Sequence, residues 1–210
     1  MGKLSTPDRH VLETIILPSF ASRPEVRRVL FVGCADYTKD YESCFVGREY
    51  YTIDSDPACA VYGAAVPGRH FIDSVENVDR YFRPCSLDLI LMNGVFGYGL
   101  NRRERAETTV ARCYDLLVDW GALMIGWNDD PDCKPFEPVG LAGLARFDRM
   151  GFPALTVAPG VRRLSDGDYL VDDDYRHVFS FFVKPALSRV KRGVKRGHSG
   201  YSRERSGHNP

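Results

Sequence analysis

Three residues stand just after short apolar runs, where a cofactor bearing adenosine could be held. Gly33 closes Val29-Leu30-Phe31-Val32, and a residue without a Cβ lets the backbone come close to a ligand. Asp54 follows twenty-one residues later, at the close of Tyr50-Tyr51-Thr52-Ile53. A carboxylate at that distance can accept two hydrogen bonds from ribose hydroxyls, each worth roughly 1.5 to 3 kcal/mol. Asp73 ends the short run His70-Phe71-Ile72 and could accept from an exocyclic amine. Each carboxylate also has a plainer reading. Asp54 and Asp56 precede Pro57, and Asp73 precedes a helical stretch, so both places suit helix starts.

Two further segments follow apolar runs. Asn93-Gly94-Val95-Phe96-Gly97-Tyr98-Gly99 is a glycine-rich loop carrying two flat aromatic faces, and Trp127-Asn128-Asp129-Asp130 closes the fifth run. Phe96, Tyr98, Trp127 and Asn128 are therefore candidates for a wall around a substrate. A proton acceptor is sought first among the histidines, which titrate near neutral pH. His177 opens the last apolar run and His10 lies on the first helical stretch, so these two, with Tyr98, are the catalytic candidates.

These residues need a scaffold that brings the ends of separate runs together. The runs begin at residues 29, 50, 70, 87 and 122, carry few charges and end on turn residues, as buried parallel strands do. Between them the spacing predicts helices near 38–46, 57–64, 75–83, 102–118 and 138–150. In 102–118, Ala106, Val110, Cys113, Leu116 and Leu117 share one face. Residues 7–21 read as an amphipathic helix that Pro18 should end or kink, and with the turn to residue 24 they form a covering segment. Repeated strand–helix units predict a doubly wound α/β sheet. Residues 153–159 and 177–183 are expected to be two strands joined by the polar stretch 162–176, an antiparallel pair closing one edge.

The chain divides into a domain over 1–187 and a tail over 188–210, expected to be disordered. The tail holds seven basic residues and one acid, the body 21 basic and 27 acidic. A mildly acidic body argues against nucleic acid as the main partner. Six cysteines form no CxxC pair, so no metal is expected and the thiols suit the cytoplasm. The start MGKLSTPDRH lacks the apolar region of a secretory signal and no run is long enough to span a membrane, so neither is expected, and a homodimer is left open.

In order along the chain, VLFVGCADYT (29–38), YYTIDSDPACAVYGA (50–64), FIDSVENV (71–78), LDLILMNGVFGYGL (87–100) and CYDLLVDWGALMIGW (113–127) resemble the five successive motifs of class I S-adenosylmethionine (SAM)-dependent methyltransferases. Residues 136–185 resemble that family's last helix and closing strands. The resemblance implies a three-layer α/β/α Rossmann-like sandwich around a seven-stranded, mostly parallel sheet with an antiparallel closing pair. It implies SAM as cofactor and a small-molecule acceptor methylated on oxygen or nitrogen rather than carbon. Gly33, Cys34, Ala35 and Tyr37 would contact the amino-acid part of SAM, Asp54 and Ser55 the ribose, Asp73 and Ser74 the adenine. Asn93 and Gly94 would lie beside the methyl donor.

The first motif departs from the family. Gly33-Cys34-Ala35-Asp36-Tyr37 keeps one glycine of the usual three, so the turn must run differently at Tyr37. The loss counts against an NAD(P)-dependent oxidoreductase, whose pyrophosphate needs those glycines more. It keeps open a protein that binds SAM without catalysis. The loop at 93–99 lacks the Pro-Pro-Tyr core of many amide- and base-nitrogen methyltransferases.

Overall fold

A computed structural model describes residues 6–186. The expected tail over 188–210 lies outside them. Among the described residues nine strands form one sheet. They are β1 (Arg28–Val32), β2 (Glu49–Asp54), β3 (His70–Ile72), β4 (Leu87–Asn93), β5 (Leu117–Asn128), β6 (Asp148–Arg149), β7 (Val161–Arg163), β8 (Tyr169–Val171) and β9 (His177–Val183). The order across the sheet is β3-β2-β1-β4-β5-β9-β8-β7, with β6 also on β9. The first five are parallel and β9 runs antiparallel to β5.

Each central strand buries both faces, and alternate residues feed two separate cores. In β1, Leu30 and Val32 join one core, Val29 and Phe31 the other. In β9, Val178 and Phe182 face the first and Phe179 and Phe181 the second. The period of two makes this division. The first core is covered by α2 (Arg103–Leu116), through Ala106, Val110 and Cys113. The second is covered by α1, a helix running through Pro7–Val11, Leu12–Ile16 and Leu17–Ala21. Its Leu12, Ile16, Leu17 and Phe20 are fully buried.

Pro18 does not end α1. The middle segment, Leu12–Ile16, winds as a wider π turn. A proline lacks an N–H and its ring crowds the carbonyl four residues back, and a wider turn relieves both. Other helices are shorter than their sequence spacing predicts. Residues 38–46, 57–64 and 75–83 contribute only the tight turns Tyr41–Phe45, Pro57–Tyr62 and Val75–Arg80. Residues 138–150 give the turns Pro138–Gly140 and Ala142–Arg146, followed by β6. No side chain of Pro57–Tyr62 is buried, and Gly63 ends it.

The closing edge corrects two expectations. Residues 153–159 are not a strand: Pro153–Thr156 is one helical turn, started by proline and held by Thr156 Oγ1 donating to the Pro153 carbonyl at 2.7 Å. The partner of β9 is β8, inside the supposed polar connection, where Tyr169, Leu170 and Val171 are all buried. β7 pairs with β8, so the sheet has nine strands, not seven. Arg149 on β6 forms an ion pair with buried Asp168, which ties β6 to the β7–β8 hairpin.

The second core depends on aromatic stacking around β9. Phe181 stacks on Phe152 at 4.4 Å and lies 6.2 Å from Phe20 of α1 and 5.8 Å from Tyr169 of β8. Phe181→Ala should cost about 3 to 5 kcal/mol of unfolding free energy in urea titration. Val46→Ala, on the surface, should stay within about 0.5 kcal/mol.

Candidate active site

A cavity of about 470 Å³ lies at the carboxyl ends of β1, β2 and β4, and the start of α1 forms part of its wall. That place follows from the strand order. β1 has neighbours leaving in opposite directions, β2 on one side and β4 on the other, so a crevice opens between them.

Gly33 makes the first turn of its floor. Its φ is +88°, which disfavours residues with a Cβ, and its N–H donates to the Ile53 carbonyl at 3.0 Å. A Cβ placed there would meet nothing within 4 Å, so the bare side of the glycine faces open space. Asp54 then pins the turn. Its Oδ2 accepts the Cys34 N–H at 2.6 Å and its Oδ1 accepts the Asp56 N–H at 2.8 Å. An ionised carboxylate offers about four lone-pair directions, so two remain for a ligand. Burial pushes the Cys34 thiol up to about 12, which leaves it protonated and unreactive.

The turn closes without its missing glycines. Thr38 Oγ1 accepts the Ala35 N–H at 3.0 Å, and the Thr38 N–H donates to the Ala35 carbonyl at 2.9 Å. Tyr37 swings toward α1, where the Arg9 guanidinium stacks 3.2 Å from its ring centroid. Arg9, Asp8 and Thr6 all line the cavity, with Cys34, Ala35, Tyr37, Asp54 and Ser55.

At the other end, a polar cluster crosses three strands. His177 Nδ1 lies 2.6 Å from Asn128 Oδ1, and its Nε2 lies 3.1 Å from the Asn93 side-chain amide. Gly126 on β5 makes the crossing possible: a Cβ there would fall 1.8 Å from Asn93 Oδ1. Asp8 of α1 approaches His177 Nδ1 to 3.9 Å. Burial pushes the His177 pKa down to about 4, against the pull of the Asp8 carboxylate and with the push of Arg9. A neutral imidazole has one donor and one acceptor. Both ring nitrogens face amide oxygens, Asn128 Oδ1 and Asn93 Oδ1, and the single N–H of the neutral ring serves one of them.

Most of the expected cofactor residues gather here. Gly33, Cys34, Ala35, Tyr37, Asp54, Ser55, Ser74, Asn93 and Gly94 all line the cavity, as do Tyr98, Asn128 and His177. Four expected residues do not. Asp73 is tied into its own turn: Oδ1 accepts from the Ser74 N–H and Asn77 Nδ2, and Oδ2 from the Tyr81 hydroxyl at 2.9 Å. Those bonds hold its carboxyl below the usual range, and Ser74 beside it caps the turn Val75–Arg80. Phe96 is buried, edge-on against Phe136 at 5.7 Å, because Gly94 and Gly97 turn the loop with φ of +68° and +91°. Trp127 is buried too, its Nε1 donating to Ser180 Oγ at 3.3 Å. His10 is exposed on the outer side of α1.

The aromatic wall is instead Tyr98 with Tyr175, which sequence reasoning missed, and both are more than half exposed at the mouth. Asp8 and Arg9 were also missed. Their one signal was position at the start of a helix expected to cover the site. Among the described residues no group of three His, Cys, Asp or Glu could hold a metal, and no helix is long and apolar enough to cross a membrane.

No sequence-family model and no curated protein matches the chain. Solved structures are similar to it. The N-methyltransferase NodS from Bradyrhizobium japonicum is 15% identical over 85% of this chain and 96% of its own, with a TM-score of 0.55. The same protein with S-adenosylhomocysteine bound gives 14% identity over 87% and 95%, with a TM-score of 0.56. A TehB-like SAM-dependent methyltransferase from Corynebacterium glutamicum is 16% identical over 84% and 93%, with a TM-score of 0.55. The fold is that of class I SAM-dependent methyltransferases.

The buried histidine sets a pH dependence. Below its ordinary value of 6.5 the unfolded chain takes up a proton that folded His177 refuses down to about 4. Stability from this group is therefore full above pH 6.5 and falls as pH falls through that window. Between pH 7 and 5 the loss should be about 2 kcal/mol. Urea unfolding at the two pH values should show that loss in the native chain, and His177→Gln should lack it.

Proposed function

We propose that the chain binds SAM in this cavity and transfers its methyl group to a small molecule, on nitrogen or oxygen. The observation that carries the reading is the meeting of Gly33's bare side and the Asp54 carboxylate at the sheet's crevice. The cavity's volume lies within the range of about 300 to 1,000 Å³ usual for small-molecule sites. When bound, SAM supplies an electrophilic methyl on a sulfonium.

The chain's own residues do the rest. The two unused lone-pair directions of Asp54 accept from ribose hydroxyls. Ser55 and Ser74 border the nucleoside, while Asp73 is engaged within its own turn. The turn from Gly33 to Tyr37 borders the amino-acid end, where Arg9 supplies a cation for a carboxylate. Asn93 and Gly94 face the methyl. Alignment of donor and acceptor can supply much of the rate of such a displacement without an acid or base. The stacked Tyr37 and the single glycine leave little bare backbone for a pyrophosphate, which weighs against the NAD(P) reading. Six cysteines with no CxxC pair fit a cytoplasmic setting.

Isothermal titration with S-adenosylhomocysteine, the stable product, tests the reading. Micromolar binding is expected, with no heat from NAD. Asp54→Ala should weaken binding tenfold or more, about 1.4 kcal/mol. No binding of S-adenosylhomocysteine, with clear binding of NAD, overturns the proposal in favour of hydride transfer.

A further inference from the structure

Resting on the donor assignment above, we propose that the acceptor is an amine carried on a flat, partly apolar body, with Asp8 as its counter-ion and Tyr98 and Tyr175 as its wall. Beyond Asn93, the part of the cavity not bordering the donor is lined by Asp8, Asn128, Tyr98, Tyr175 and His177. Among the described residues, Asp8 and Asp54 are the carboxylates of the lining, and Asp54 belongs to the nucleoside end. Asp8 is four-fifths or more buried at its side chain, 3.9 Å from an imidazole that burial keeps neutral. A negative charge so placed, in a partly desolvated chamber, favours a cation. Two tyrosine rings at the mouth favour the same ligand by cation–π attraction and by packing on an apolar body.

The protonation states point the same way. A hydroxyl acceptor needs a base to take its proton as the new bond forms. Neither obvious base is free. His177 is buried with an amide oxygen against each ring nitrogen, that of Asn128 and that of Asn93, so neither nitrogen opens to an acceptor molecule. Tyr98 is held protonated, pushed up to about 12 by its Cys133 contact and by burial, and its hydroxyl accepts from Asn128 Nδ2 at 3.3 Å. An amine gives up its extra proton before the transfer rather than during it, so its bond-forming step needs no base beside the nitrogen. It arrives as an ammonium drawn by Asp8 and sheds a proton to water at the mouth. Its lone pair then forms the nitrogen–methyl bond as the sulfur–methyl bond breaks. S-adenosylhomocysteine leaves with that electron pair, and the proton left on a methylated primary or secondary amine stays or passes to water. His177 is thus a positioning residue, holding Asn93 and Asn128 in place, and not the catalytic base expected from its sequence position.

The test is titration of the protein, saturated with S-adenosylhomocysteine, with benzylamine, phenethylamine and tryptamine. Each is compared with its neutral isostere, benzyl alcohol, 2-phenylethanol and tryptophol. At least one amine should bind tenfold or more tightly than its alcohol. Asp8→Asn should erase that preference, Asp8→Glu should retain part of it, and both variants should bind S-adenosylhomocysteine as the native chain does. Alcohols binding as tightly as amines, no measurable amine binding, or an amine preference unmoved by Asp8→Asn overturns the amine proposal and leaves the donor reading standing. Failure of S-adenosylhomocysteine to bind overturns the donor reading and this inference with it.

Discussion

The antiparallel ladder between β5 and β9 decides what the cavity contains. Seven residue pairs, from Ala122 with Val183 to Asn128 with His177, fix the register. A slip of one residue would turn every side chain of β9 to the opposite face. It would then carry Phe179 and Phe181 out of one core and Val178 and Phe182 out of the other. Both cores therefore hold the register, and the register delivers His177 beside Asn128 and across Gly126 to Asn93. The polar cluster at the cavity is in this sense enforced by apolar packing elsewhere on the same strands.

Much of the sheet is covered by single turns where longer helices are usual for doubly wound folds. This is tolerable because the strands themselves are apolar and interlocked, and because α1 and α2 cover the centre of each face. The thin cover has a consequence at the site. The turn Tyr41–Phe45 begins only after Thr38 has closed the loop from Gly33, so among the described residues no long helix follows β1 to aim a row of N–H groups at a ligand. Side chains take over that task. Asp54 organises the turn, and Arg9 reaches over from α1. A cavity built this way depends on the seating of α1, which is secured by Leu12, Ile16, Leu17 and Phe20 in the second core.

The electrostatics are divided between the two ends of the cavity. Arg9 sits near the first turn, where an anionic group would be held, and Asp8, its neighbour in sequence, points to the His177 end. Adjacent residues on a helix diverge by about 100°, so one turn of α1 presents opposite charges to two parts of one ligand site. That arrangement suits the charge pattern of the proposed donor and acceptor, an amino-acid carboxylate at one end and an ammonium at the other.

The amino-acid sequence by itself determined the five parallel strands, the α2 helix and the placing of Gly33, Asp54, Asn93 and His177 at strand ends. These depend on period, on apolar runs and on turn residues, which act over a few neighbouring positions. It did not determine the lengths of the covering helices or the identity of the closing strands. Residues 153–159 and 169–171 both carry apolar side chains, and only the aromatic cluster of Phe20, Phe152, Tyr169 and Phe181 decides which of them pairs with β9. Nor could local pattern tell that Asp73 would be used up by Asn77 and Tyr81, or that Phe96 would turn inward and leave Tyr98 at the mouth. Whether a polar side chain meets a ligand or its own neighbours depends on which groups the fold brings within 3 Å. That is decided by packing between segments far apart in the chain.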